Sequence, residues 1–283
     1  MVKITECPRD AMQGIKTFIP SEIKADYINA LLQVGFDVID FGSFVSPKAI
    51  PQMRDTGQVI SMLDMSDTDS KLLVIVPNKH GAYSAIMFDE ITYLGFPFSI
   101  SPTFLQKNIR SDLEPSFNTV QQILAICERS RKFLRIYISM AFGNPYGDAW
   151  SIDLLTEWVD KLHKAGIKEI ALSDTVGLGT VENIGAGFST LVSAYPDISF
   201  GLHLHTTSAD WYEKIDAAYT NGCRSFDGVL SGLGGCPMAG PQLVGNIRTS
   251  DLLEYFRKND IPVNINEDAL SVALEKAMKT MEG

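Results

Sequence analysis

Two of the chain's four histidines, His203 and His205, stand two positions apart in GLHLHT (201–206). Along a strand, residues i and i+2 face the same side, so both imidazoles would point at one place in space. Two imidazoles at that spacing can take adjacent positions on one metal ion, yet two ligands alone hold a metal poorly. For an isolated HxH the commoner arrangement is a pair of half-buried histidines bonded to neighbouring carbonyls. The company they keep decides between the two. VKITEC (2–7) runs into Pro8-Arg9-Asp10 and then Gln13, and DVIDFG (37–42) carries Asp40 and leads to SFVSPK with Lys48. KEIALSD (168–174) ends in Asp174, and the last apolar run leads into glycine-rich SGLGGCP (231–237), with Cys236, and on to Asn246.

Something must bring those run ends together. Eight short apolar runs read as strands: 2–7, 37–42, 71–77, 97–103, 134–142, 168–174, 198–205 and 223–230. Segments of helical periodicity lie between them, such as 21–35 and 151–166. Ser21 is placed to cap the first, and Gly35 and Gly166 to stop these two. Eight strands alternating with helices predict an α/β fold, a (β/α)8 TIM barrel, with two additional C-terminal helices at 250–259 and 267–283. No GxGxxG follows the first strand, which argues against a dinucleotide-binding open sheet. No linker or change of composition divides residues 1–283, so one catalytic barrel domain is expected.

In such barrels the chemistry sits at the carboxyl ends of the strands. Strands seven, eight and one are consecutive around a closed barrel, so Asp10 and Asn246 can approach the two histidines. Two nitrogens and two oxygens, with positions left for water or substrate, suit Mg²⁺ or Mn²⁺ better than a closed structural zinc site. Arg9 could pair with Asp10 or Asp40 as an ordinary rim ion pair. Its permanent charge could also stabilise an enolate beside the metal, with Asp40 orienting it. Cys236, in a glycine-rich loop over the site, could act as an acid or as part of a cover that excludes water. Asp174 could equally cap the next helix, and Cys7 reads as packing.

Composition narrows the partners. The 283 residues carry a net charge of −10, which argues against nucleic acid. No apolar run approaches the ~20 residues needed to cross a bilayer, so no membrane partner is expected. MVKITECPRD lacks a signal-peptide pattern, so a cytoplasmic location is expected. The four cysteines have no framework spacing and read as reduced thiols.

Several motifs together resemble one family. CPRDAMQ is similar to the [G]PRDGLQ motif of 3-hydroxy-3-methylglutaryl-CoA lyases, and VIDFGSFVSPKAIPQM resembles their VIE-x-x-SFVSPK-x-x-PQM stretch. LSDTVGLGT resembles their LGDTIGVGT, HLHTT their HCHDT, and SGLGGCPMAG their AGLGGCPYA, while GN followed by TSDLL resembles GNLATEDL. The resemblance runs in register from strand one into the tail helices and extends to the wider DRE-TIM metallolyases. It implies divalent-metal-dependent cleavage of 3-hydroxy-3-methylglutaryl-CoA to acetyl-CoA and acetoacetate. It further implies Asp10, His203, His205 and Asn246 as metal ligands, and Arg9 as the group that polarises the thioester carbonyl. Cys236 would lie in the catalytic loop and His203 would shuttle a proton. Gln13, Lys16 and Lys48 fall where substrate or CoA contacts are expected. A homodimer is kept open as the assembly.

The chain departs from that pattern near the substrate. Asp40 replaces a glutamate, Thr206 the aspartate after the second histidine, Cys7 and Ala11 glycines beside the Arg-Asp pair, and Met238 an aromatic residue. Three neighbouring activities share barrel and metal: an aldolase of 2-oxo acids, a lyase of another 3-hydroxyacyl-CoA, and a condensing acyltransferase of the isopropylmalate synthase kind.

Overall fold

The structure, a computed structural model, describes residues 1–206, 209–234 and 244–282. Eight strands form a closed parallel barrel in chain order. They are β1 (Lys3–Glu6), β2 (Val38–Ser43), β3 (Lys71–Ile75), β4 (Ile91–Ser99), β5 (Phe133–Ser139), β6 (Glu169–Asp174), β7 (Ser199–Leu204) and β8 (Ser225–Gly228). The barrel shuts where β1 pairs with β8, Lys3 opposite Ser225 through Glu6 opposite Gly228. The helices include α1 (Pro8–Met12), α2 (Ser21–Leu32), α3 (Thr56–Ile60), α4 (Lys79–Ala85), α5 (Pro102–Ile109) and α6 (Leu113–Ser130). Five more follow: α7 (Ile152–Lys164), α8 (Val181–Ala194), α9 (Trp211–Thr220), α10 (Thr249–Lys258) and α11 (Glu267–Glu282).

Strand alternation divides the interior in two. Outward residues such as Ile39, Leu72, Ile136, Leu172 and Leu202 are buried against the helices in one large apolar cluster. Inward residues form a small second cluster, Val38, Leu73, Tyr137 and Ala171. Beneath it the barrel holds charge: Arg135 Nε donates to Glu169 Oε2 at 3.1 Å and Nη1 to Thr5 Oγ1 at 3.0 Å. In the tail, α11 packs on α2 and buries Ala273 and Ala277.

Three sequence expectations need correction. The fourth strand is Ile91–Ser99, not 97–103. A proline argues against a strand interior because it lacks an N–H. Pro97, however, lies beyond Gly95, the last β4 residue paired with β3, so its missing N–H breaks none of the β3–β4 pairs. Ser101 then caps α5, accepting from Phe104 N at 3.1 Å. Ser21 does not cap α2: Pro20 holds that position, and the Ser21 hydroxyl donates to Asp55. The fifth strand stops at Ser139, because Met140 takes φ +59° and turns the chain. Gly35 and Gly166 take φ of +93° and +102°, as their places after α2 and α7 require.

Candidate metal centre

α1 begins two residues after β1, with Pro8 in its first turn, and so sets Arg9, Asp10 and Gln13 on the rim of the barrel. Arg9 is clamped. Its Nε lies 3.2 and 3.1 Å from the two Asp40 oxygens, and its Nη1 donates to Asp10 Oδ1 and Gln13 Oε1, each at 3.1 Å. Burial works against the guanidinium's charge, but Asp40 and then Asp10 outweigh it and hold Arg9 protonated. Gln13 also donates to Asp10 Oδ1 at 2.5 Å, so all four side chains form one network. The shorter Asp40 still reaches Arg9 from β2.

Opposite this network stand His203 of β7 and His205 just past its end. His203 and His205 have ring centroids 5.2 Å apart. Asp10, His203 and His205 can each offer one ligand atom, all within 4.8 Å of one another. His205 Nδ1 lies 2.9 Å from the carbonyl of Val244, which can only accept, so that nitrogen carries the proton and Nε2 keeps its lone pair. His203 Nδ1 lies 3.1 Å from Asp227 Oδ2; burial works against charge on this ring, but Asp227 and then Asp10 outweigh it and favour the protonated form, so a cation there would take the place of the Nε2 proton. Burial, with His203 beside it, pushes His205 down to about 4, so the ring is neutral at pH 7, as a metal ligand must be. Asp10 is penalised by burial, yet Arg9 and the histidines keep its carboxyl below the usual range. Donor types and spacing therefore fit a divalent cation, with His205 neutral and Asp10 ionised.

Asn246 closes the group from the segment before α10. Its Nδ2 donates to Asp10 Oδ2 at 2.5 Å and to the Leu233 carbonyl at 3.0 Å, and its backbone forms an isolated bridge with His205. A carboxyl-ended clamp steadies that segment. Glu6, fully buried at the end of β1, accepts from Leu230 N at 2.7 Å and meets the Thr249 hydroxyl at 2.5 Å.

The other expected residues divide. Lys16 and Lys48 are exposed, in the segments after α1 and β2, and join none of these contacts. Cys236 and Met238 lie outside the described residues. Asp174 serves its own loop, accepting from Leu178 N and Gly179 N, and burial pushes it up to about 6. The Thr206 hydroxyl donates to Asp210, and Thr206 lines a cavity of about 170 Å³ with Ser231, Asn246 and Arg248. Cys7 is buried, and with His203 and Asp227 it makes a second group of metal-ligating type. Burial keeps its thiol protonated, which favours the Asp10 group.

Two residues escaped the sequence reading. Asp227 on β8 holds His203, and Arg135 on β5 stands 3.9 Å behind Asp227. The signal was present in the alternation of Ser225, Asp227 and Val229, which sets Asp227 inward beside His203 once β7 and β8 are aligned.

Fold and site together define a (β/α)8 barrel with a candidate metal centre at the carboxyl ends of its strands. The HMGL-like family model matches residues 2–275, and the chain belongs to that family. It is 33% identical over 270 residues to the cytoplasmic 3-hydroxy-3-methylglutaryl-CoA lyase of Rattus norvegicus, covering 94% of this chain and 77% of that protein. It is 28% identical to the (R)-citramalyl-CoA lyase of Chloroflexus aurantiacus, covering 97% and 89%. An HMG-CoA lyase of Acinetobacter baumannii, solved with coenzyme A and 3-methylmalate, superposes with a TM-score of 0.91 at 32% identity, over 100% of this chain and 92% of that one. No helix among the described residues is long and apolar enough to cross a membrane.

Proposed function

We propose that this lyase cleaves 3-hydroxy-3-methylglutaryl-CoA to acetyl-CoA and acetoacetate with the help of Mg²⁺ or Mn²⁺. The observation that carries the reading is the placement of a permanently charged Arg9 against the Asp10–His203–His205 group. Asp10, His203, His205 and Asn246 would hold the cation, whose Lewis acidity would ease loss of the proton from the substrate's 3-hydroxyl. Arg9, immobilised by Asp40, presents a fixed charge to the thioester oxygen as the carbon–carbon bond breaks and enolate charge collects there. Because Asp40, Asp10 and Gln13 preset its position, little reorganisation is needed at that moment. His203 is the candidate proton carrier at the 3-hydroxyl, and Cys236 the candidate acid for the enolate carbon. Gln13 supports both Arg9 and Asp10, whereas Lys16 and Lys48 remain candidates for the CoA moiety. The coenzyme A bound to the Acinetobacter baumannii relative supports a thioester substrate.

A second reading keeps the chemistry and shortens the acyl group. Thr206, at a position facing the site's neighbouring cavity, departs from the lyase motif, and the (R)-citramalyl-CoA lyase is similar across 97% of this chain. The test is to assay purified protein with Mg²⁺ or Mn²⁺ on both thioesters. Acetoacetate from 3-hydroxy-3-methylglutaryl-CoA supports the first reading; turnover of (R)-citramalyl-CoA alone replaces it with the second. The cytoplasmic location is proposed with the same support, the rat relative being described as cytoplasmic.

A further inference from the structure

Five buried side-chain polar atoms find no partner among the described residues, and the hydroxyls of Ser43 and Ser173 are two of them. Both serines end inward-facing positions of their strands: Ser43 pairs with Ile75 across β2 and β3, and Ser173 with Ser139 and His203 across β5, β6 and β7. Their backbones are engaged. Ser43 N and O both bond the Thr56 hydroxyl, and Ser173 O accepts from Ala141 N at 3.1 Å. Only the side chains are left over, at 2% and 4% residue exposure. A buried hydroxyl without a partner is costly, so such groups persist where a ligand or an ordered water completes them.

Ser173 carries the sharper information. It lies one strand from His203, a spacing of about 4.8 Å, and therefore borders the candidate metal group. In LSDTVGLGT it occupies the place where the lyase motif LGDTIGVGT has glycine, so both the hydroxyl and the space it fills belong to this chain. Arg9 is committed to the thioester side of the site by Asp40. The acyl carboxylate is the remaining strong acceptor on the substrate, and a neutral donor beside His203 suits it.

We infer that Ser173 is a specificity-determining contact, its hydroxyl donating to the acyl carboxylate of the 3-hydroxyacyl-CoA and measuring that carboxylate's distance from the carbinol carbon. This rests on the thioester-cleaving reading above. The test compares wild type, Ser173→Ala and Ser173→Gly on two thioesters: 3-hydroxy-3-methylglutaryl-CoA, and the analogue whose carboxylate sits directly on the carbinol carbon. Loss of one hydrogen bond to a charged acceptor should lower kcat/KM for the preferred thioester about tenfold to a hundredfold in both variants. The other thioester should lose less than about threefold, so the preference ratio collapses, while Mn²⁺ affinity and melting temperature stay at wild-type values. Equal losses on both thioesters, or no loss on either, overturn the inference. If wild type cleaves neither thioester, the functional reading itself fails and the inference goes with it.

Discussion

Glu6 offers a test of the site's scaffold that needs no substrate. Burial lifts its carboxyl from an ordinary value near 4.5 to about 8, against the opposing effects of Thr249 and the Leu230 amide. Below about pH 4.5 the group is protonated in folded and unfolded chains alike, so it costs nothing. Between about 4.5 and 8 the unfolded chain ionises while the folded one holds its proton, and stability falls as pH rises. Over that span, at about 1.4 kcal/mol per unit, the ceiling on the loss is roughly 5 kcal/mol. Glu6→Gln copies the neutral form: its oxygen can accept from Leu230 N, and its amide can donate to the Thr249 hydroxyl. Melting curves of wild type and Glu6→Gln should therefore coincide near pH 4.5 and separate steadily up to pH 8, with the variant more stable by several kcal/mol, about 10 °C in Tm. Parallel curves across that range would refute a protonated Glu6 clamp.

Other expectations concern the site directly. Asp10→Ala and His205→Ala should each abolish tight Mn²⁺ binding measured by calorimetry or paramagnetic resonance; unchanged affinity in both would remove them from the ligand set. Arg9→Met should leave Mn²⁺ affinity near wild type and lower kcat on the order of 100-fold or more, as for loss of a preorganised charge stabiliser. Asp227→Ala frees the His203 ring and should weaken Mn²⁺ binding about 10- to 100-fold without unfolding the barrel, read by the same titration beside a melting curve. Chelation with EDTA should stop thioester cleavage, and added Mg²⁺ or Mn²⁺ should restore it.

The eight strands were legible because each is a short apolar run bounded by turn residues and followed by an amphipathic helix. β4 was misplaced because Pro97 looks like a strand's beginning until its neighbour is known to end below it. Arg9, Asp10, His203, His205 and Asn246 could be gathered from the sequence by assuming that the barrel closes, since closure makes β7, β8 and β1 neighbours. Asp227 and Arg135 could not be found in that way. A charged residue in a short strand reads as a solvent-facing one until register shows that its face is the barrel's interior. Ser173 hid for a related reason: a serine is unremarkable in sequence, and only burial without a partner gives it significance. Gln13 was implied by resemblance, yet its position three residues beyond Asp10 on one helical turn already placed it within reach.

The contact between Asp10 and Asn246 spans 236 positions of the chain, and the Glu6 clamp to Thr249 spans 243. As the protein is synthesised, β1 leaves the ribosome first and waits for its partner until β8 and the segment beyond it emerge. The candidate metal donors are thus divided between the earliest and the latest parts of the fold, and a cation that gathered them would act as a clasp across the barrel's last seam. Supply of the cation would then govern how long that seam stays shut, and amide exchange in β1 and β8 should slow on metal addition more than in β4 and β5, on the far side of the barrel.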